Sequence, residues 1–132
     1  MCEGGCFCGA VRYRVTADPV VVCHCHCLHC RRTSGAPFLT WAEFRSSQFM
    51  FTRGKPRYVR TRPEVTRSFC PRCGTPLTYQ RDDAPQSVDV TACSLDDPAA
   101  VRPRDHLYCE RMLPWIHLDD SLPKYPTRRS GM

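Results

Sequence analysis

The sequence predicts a small, mainly β domain of short antiparallel strands and sheets. We expect it to lack long helices and to be cross-linked by zinc ions. Short runs of β-branched and aromatic residues alternate with turn signals, and no segment shows a helical apolar stripe longer than two turns. The 132 residues include 12 prolines, which interrupt regular structure, and 11 cysteines, which mark a cross-linked scaffold. One domain is expected over residues 1–132, with about 119–132 as a looser C-terminal tail.

The pattern of apolar residues places the strands in order along the chain. Residues 3–9, rich in glycine, are predicted to form a tight turn, and one helical turn is expected from Leu28. The turn at Asp18-Pro19 and the turn at 53–56 separate neighbouring strands. Strands are predicted at 11–15, 20–25, 38–44, 48–52, 57–61, 65–69, 77–80 and 87–93.

The cysteines favour metal binding over disulfides. Their number is odd, and they cluster at C-x-C and C-x-x-C spacing. No apolar signal segment follows Met1 and no run is long enough to span a membrane, so we expect a cytoplasmic protein with reduced thiols. The formal charge of +6 falls when metal-bound thiolates are counted, and it gives only weak support for a nucleic-acid partner.

The densest cysteine cluster predicts a catalytic metal site. Cys27 and Cys30 form a C-x-x-C turn, and Cys25 precedes it on extended backbone, where alternate side chains share a face. The three sulfurs can therefore meet a zinc ion at about 2.3 Å. Three protein ligands leave a fourth position open, which distinguishes catalytic zinc from structural zinc.

Four more cysteines predict a second, closed site. Cys6 and Cys8 form a C-x-C pair, and Cys70 and Cys73 form a C-x-x-C knuckle followed by Gly74. A Cys₄ zinc site built from these pairs would be structural and would join distant parts of a small core. The sequence thus predicts two zinc ions per chain.

Several neighbouring residues keep alternative roles. Cys23 alternates with Cys25 and Cys27, so it is either a fourth ligand that closes the site or a buried thiol below it. His24 and His26 point to the opposite face, and His29 could shuttle protons. His106 and His117 are expected to be structural. Cys93 and Cys109 have no ligand spacing and are expected to be buried apolar thiols, and Cys2 a free terminal thiol.

The chain resembles the glutathione-dependent formaldehyde-activating enzyme family, whose domain is shared with centromere protein V. The resemblance runs from Gly4 to Pro126. It is carried by GGCFCGAVRY at 4–13, CHC at 25–27 followed by CRR at 30–32, GAPF at 35–38, FCPRCGTPL at 69–77, LDDP at 95–98, His106, Trp115 and LP at 122–123.

The resemblance implies a β-rich fold of Mss4-like, β-tent type around a structural zinc on Cys6, Cys8, Cys70 and Cys73. It also implies a catalytic zinc on Cys25, Cys27 and Cys30. The implied activity is that of a carbon–sulfur lyase, in which glutathione adds to formaldehyde to give S-(hydroxymethyl)glutathione. Arg31 and Arg32 directly follow the site and could bind a substrate carboxylate, or they could be solvated surface charges.

Two rival readings remain at this point. A zinc-stapled module could bind an acidic partner or nucleic acid through a basic run, although Glu64 interrupts that run and no aromatic ladder accompanies it. A purely structural zinc protein or thiol sensor would have two closed sites. The basic run comprises Arg53, Lys55, Arg57, Arg60, Arg62, Arg67 and Arg72.

Overall fold

A computed structural model describes residues 2–130, which form short strands and one α-helix of seven residues. The α-helix and four 3₁₀ turns lie between strands or follow them; the 3₁₀ turns span Ser46–Gln48, Ala92–Ser94, Pro98–Ala100 and Cys109–Arg111. The main elements are β1 Cys2–Gly5, β2 Arg12–Val15, β3 Val21–Cys25, α1 Leu28–Ser34, β4 Leu39–Arg45, β5 Phe49–Arg53, β6 Arg57–Arg62, β7 Val65–Phe69, β8 Pro76–Arg81, β9 Ser87–Thr91 and β10 Asp105–Leu107.

The strands form two sheets, which confirms the mainly β prediction. The three-stranded sheet has the order β1-β2-β5, and the seven-stranded sheet has the order β10-β3-β4-β9-β8-β7-β6. Every pairing between these strands is antiparallel except that of β10 with β3. Within residues 2–130, no helix is long and apolar enough to cross a membrane.

Strand β1 was not predicted, because the sequence of residues 3–9 indicated only a tight turn. Gly4 and Gly5 instead pair with Tyr13 and Arg12 of β2. Glycine disfavours strands, but a Cβ at Gly4 would overlap the hydroxyl of Tyr13 and the carbonyl oxygen of Ser94. The glycine is needed here for close approach of the backbone.

One face of the seven-stranded sheet forms the main hydrophobic core. Val22, Ala42 and Val90 are cross-strand partners on β3, β4 and β9, and all three are buried. They belong to the same core cluster as Tyr13 and Val15 of the three-stranded sheet. Because side chains alternate along a strand, the next residues on β3, β4 and β9 face the other side of the sheet.

That other face carries the polar and thiol side chains of the candidate site. Cys23 pairs with Trp41, which pairs with Thr91 on β9. One row further along, four cross-strand neighbours bring acidic, aromatic and basic side chains together: Glu43, Asp89, Tyr79 and Arg67. The sheet register therefore assembles the site from residues that are far apart in sequence.

The C-terminal segment differs from the loose tail expected over residues 119–132. The N–H of His106 donates to the carbonyl oxygen of Pro123, and the N–H of Tyr125 donates to that of His106, each across 2.9 Å. The guanidinium of Arg129 binds the carboxylate of Asp105, which is 1% exposed. The composition of the tail did not reveal this because its partner, β10, is only three residues long; residues 131–132 lie outside the described part of the chain.

Candidate metal centre

The first cysteine group joins the β1–β2 loop to the knuckle between β7 and β8. The Sγ atoms of Cys6, Cys8, Cys70 and Cys73 all lie within 4.8 Å of one another. Cys8 Sγ is 3.6 Å from that of Cys6 and 3.8 Å from that of Cys70. A tetrahedral zinc site with Zn–S bonds of about 2.3 Å requires S···S separations of roughly 3.8 Å, so the spacing fits zinc and is far too long for a disulfide.

Backbone donors surround these sulfurs. The N–H of Val11 donates to Cys6 Sγ across 3.3 Å, and the N–H of Arg72 donates to Cys70 Sγ across the same distance. The hydroxyl of Thr75 lies 3.2 Å from Cys73 Sγ, and this contact lowers the pKa of Cys73 to about 5. Such donors stabilise thiolates and fix their orientation, as expected around a metal.

The second group forms where β3 passes into α1. Cys25 ends β3, Cys27 is the N-cap of α1, and Cys30 lies in the first turn of that helix. Their Sγ atoms lie within 4.8 Å of one another. The cap itself holds the group together, because the N–H of Cys30 donates to Cys27 Sγ across 3.3 Å. Cys25 and Cys30 are buried and Cys27 is half-buried.

The three thiols fit a cation. Hydrogen bonds from the thiols of Cys25 and Cys30 lower the pKa of Cys27 to about 2, and contacts with the other two sulfurs raise the pKa of Cys25. Sulfurs packed this closely must share protons or bind a metal ion that replaces those protons. The indole N–H of Trp41 also donates to Cys30 Sγ across 3.3 Å.

Cys23 does not join the three-sulfur group, although it lies beside Cys25 on the same face of β3. Burial, followed by the nearby carboxylate of Asp89, raises the pKa of Cys23 to about 12. Cys23 is therefore a neutral thiol below the group. A metal ion on the other three sulfurs has no fourth ligand among the clustered side chains of residues 2–130.

The three-sulfur group opens into a cleft of about 670 Å³ on the polar face of the seven-stranded sheet. Trp41 and Tyr79 form aromatic walls, with ring centroids 5.9 Å apart. Asp89 and Glu43 lie on the same wall, and burial, followed by the charge of Glu43, raises the pKa of Asp89 to about 7. Five arginines line the cleft: Arg62, Arg67, Arg81, Arg111 and Arg128.

Arg31 and Arg32 are not among the residues that line the cleft. Arg31 is half-buried and its guanidinium donates to the carbonyl oxygen of Arg111 across 3.5 Å, while Arg32 is exposed. Adjacency in sequence suggested these two residues, and Arg31 lies beside Arg111, which lines the cleft. Alternation on the strand predicted at 65–69 could have suggested Arg67, whereas Arg81, Arg111 and Arg128 lie outside the predicted strands.

The histidines lie where alternation predicts. His26 directly follows β3, is fully buried and does not line the cleft, and its Nε2 is 2.9 Å from Nδ1 of His106. His106 Nε2 is 2.7 Å from a carboxylate oxygen of Asp120. Hydrogen-bonding contacts therefore link His26, His106 and Asp120 in a row. His29 is exposed on the cleft. His117 is also exposed.

The remaining cysteines correct part of the sequence interpretation. Cys93 is exposed in a 3₁₀ turn rather than buried, because β9 ends at Thr91. Cys2 belongs to β1 and packs against the core, whereas Cys109 is half-buried. All eleven cysteines lie within the described residues, and none forms a disulfide.

Comparisons with known proteins agree with this arrangement. Residues 1–111 match the family model described as glutathione-dependent formaldehyde-activating enzyme. A protein of Halomonas elongata, provisionally named as such an enzyme, is 28% identical over 126 residues, covering 89% of this chain and 80% of that protein. A crystal structure of a Rhodobacter sphaeroides protein superposes with a TM-score of 0.63 at 25% identity, covering 93% of this chain and 98% of that one.

Proposed function

Because the chain belongs to the glutathione-dependent formaldehyde-activating enzyme family, we propose that it is an enzyme that joins a small thiol, such as glutathione, to an aldehyde. With glutathione and formaldehyde the product is S-(hydroxymethyl)glutathione. The reverse reaction breaks the same bond, so the enzyme is a carbon–sulfur lyase in the broad sense. The observation that supports this proposal best is the placement of the Cys25, Cys27 and Cys30 thiols on the wall of the cleft.

The proposal includes one zinc ion in each cysteine group. Cys6, Cys8, Cys70 and Cys73 would hold a structural ion, and Cys25, Cys27 and Cys30 would hold a catalytic one. All-thiolate ligation without a ferredoxin-type run of cysteines favours zinc over iron. Zinc held by these three sulfurs would supply a cationic centre that lowers the pKa of a substrate thiol.

The protein side chains around the group orient its ligands. Trp41 fixes Cys30 through its N–H···S hydrogen bond, and the N-cap geometry fixes Cys27. Cys25 and Cys30 are buried, whereas Cys27 is half-buried and lines the cleft. A substrate would therefore approach the three-sulfur group from the cleft, beside Cys27. Holding the thiol and the aldehyde together in this cleft would supply much of the rate gain.

The addition requires a proton, and Asp89 is the residue of the cleft to which we assign its transfer. When a thiolate sulfur bonds to the aldehyde carbon, the carbonyl π electrons move to oxygen, and that oxygen takes up one proton. Asp89 lines the same cleft, and its raised pKa of about 7 leaves its carboxyl group partly protonated near neutral pH. In the reverse reaction the Asp89 carboxylate takes the proton back.

The alternative of a nucleic-acid or acidic-partner module has less support from the structure. The basic run does not form one surface, because Arg60 pairs with Asp82 at 2.9 Å and Arg62 lies 3.7 Å from Glu64. Arg67 is buried in the cleft on the polar face of the sheet. These arginines are therefore distributed between surface ion pairs and the cleft.

The test compares the native protein with Cys27→Ser and with Cys93→Ser, which changes an exposed thiol outside both groups. Metal analysis should give two zinc ions for the native protein and Cys93→Ser, and one for Cys27→Ser. Glutathione should change the thiolate absorption of the cobalt-substituted native protein, and formaldehyde consumption should depend on Cys27. Two zinc ions that no thiol perturbs would refute the catalytic role.

A further inference from the structure

Arg67 is a buried cation on the wall of the cleft. Arg67 lines the cleft, and the residue is only 7% exposed to solvent. The guanidinium carbon lies 4.9 Å from the ring centroid of Tyr79 and 5.9 Å from that of Trp41. The Nε atom of Arg67 is buried without a hydrogen-bond partner. Within residues 2–130, no carboxylate lies within 4.0 Å of the guanidinium.

The buried positive charge of Arg67 would be stabilised by a bound anion. Removing a guanidinium from water is costly unless it is paired, and contacts with two aromatic rings offset only part of that cost. The acidic side chains on its own row of the sheet are Asp89 and Glu43, two and three strands away. The charge of Arg67 acts on Asp89 and opposes the rise of its pKa, but no ion pair within 4.0 Å joins the two side chains among the described residues.

The aromatic contacts leave the hydrogen-bonding groups of Arg67 available. A cation held over ring faces by cation–π attraction does not use its N–H donors for that contact, so they can bind other groups. Those donors match the two oxygens of a carboxylate. Trp41 contacts Arg67 with its ring and Cys30 with its N–H, so one indole separates the cation from the sulfur group.

We propose that Arg67 binds a carboxylate of the thiol substrate, so that the enzyme selects carboxylate-bearing thiols over neutral ones. This inference rests on the proposed function of the cleft, because it assigns one end of the substrate to Arg67 and the sulfur end to the cysteine group. Binding of the carboxylate gives the buried guanidinium the partner that the protein does not supply.

The experiment uses probes that separate the two ends of the substrate. S-Methylglutathione keeps both carboxylates but has no free thiol, and cysteamine has a thiol but no carboxylate. Calorimetry on the zinc-loaded protein should show at least tenfold weaker binding of S-methylglutathione to Arg67→Met than to the native protein. Cysteamine should perturb the cobalt-substituted forms of both equally. Arg67→Lys should recover part of the affinity, and Arg57→Met, on exposed β6, should bind as the native protein does.

The native protein alone provides a second test that does not depend on folding of a variant. The dimethyl ester of S-methylglutathione should bind at least tenfold more weakly than the parent compound. Equal affinity of these two compounds, or unchanged binding to a folded Arg67→Met variant, would overturn the role of Arg67. If cysteamine leaves the cobalt spectrum unchanged while S-methylglutathione binding depends on Arg67, the proposed thiol chemistry fails and the anion site stands.

Discussion

The indole N–H of Trp41 donates a hydrogen bond to Sγ of Cys30 across 3.3 Å. Trp41 is buried on β4 and pairs with Cys23 of β3, so the sheet register aims its ring at the cysteine group. A donor to a ligand sulfur reduces the electron density that the sulfur gives to a metal. This contact links the rigid sheet to the chemistry of the site.

Replacing Trp41 with Phe removes that donor while keeping an aromatic wall. We expect the affinity of the Cys25–Cys30 site for zinc to fall by about tenfold, because outer contacts of metal ligands typically contribute 10- to 100-fold. Competition with a chromophoric chelator measures the affinity, and the thiolate absorption of the cobalt form should shift. Tyr58→Phe on exposed β6 is the aromatic control. An unchanged affinity and spectrum in Trp41→Phe would show that the hydrogen bond has no influence on the metal.

Chelation should remove the two metal ions in separate steps. The three-sulfur group opens to a cleft, whereas the Cys6–Cys73 group has four sulfurs and several N–H donors. We expect the first ion to leave quickly with little change in circular dichroism, and the second to leave slowly as the fold is lost. Cys27→Ser should show only the slow step. Simultaneous loss of both ions with unfolding would contradict the division into open and closed sites.

The raised pKa of Asp89 predicts a pH-dependent loss of stability. Asp89 has its ordinary pKa near 3.8 in the unfolded chain and about 7 in the folded protein, chiefly because of burial. The folded state therefore binds more protons between these values, and the penalty grows with pH until it is complete above pH 7. It amounts to at most about 4 kcal/mol.

Asp89→Asn removes this penalty, because an amide stays neutral. We expect the variant to be more stable than the native protein at pH 8 and to lose that advantage as the pH falls towards 4, as measured by urea unfolding. Formaldehyde addition by the variant should be slower and should lose its dependence on a group titrating near pH 7. Asp82→Asn, on the surface, should change neither profile. An equal stability difference at both pH values would disprove the assignment.

The ion pair between Arg129 and Asp105 should stabilise the protein more than a surface pair does. The two side chains are 10% and 1% exposed, and Arg104 lies 3.8 Å from the same carboxylate. Arg129→Ala leaves Asp105 buried with only that distant partner, so we expect a loss of about 3 kcal/mol in denaturant unfolding. Arg60→Ala breaks an exposed pair and should cost within about 1 kcal/mol. Equal losses would show that burial of Asp105 is unimportant.

The sequence predicted β2 to β9 and both cysteine groups because these signals are local. Alternation located β7 at 65–69 and placed Cys25 and His26 on opposite faces, as the structure has them. Spacing alone related Cys6 to Cys70. Such signals need no knowledge of how strands pair.

The cleft could not be predicted in the same way, because it depends on register. Arg67 and Asp89 lie on one row only because β8 pairs with both β7 and β9. Arg31 and Arg32 were predicted from their adjacency to Cys30, because the amino-acid pattern alone does not show which side chains line the cleft. The docking of residues 123–127 on β10 was likewise hidden, because it depends on a strand of three residues.

The docking of the C-terminal segment on β10 also bears on aggregation. Without it, β10 would present unpaired backbone groups that could template pairing with another molecule. The covering segment contains Pro123 and Pro126, which have no N–H to continue a ladder. At the far end of the sheet, β6 exposes Arg57, whose charge repels an identical strand. A chain truncated before Pro123 should therefore self-associate through β10, even though both cysteine groups are intact.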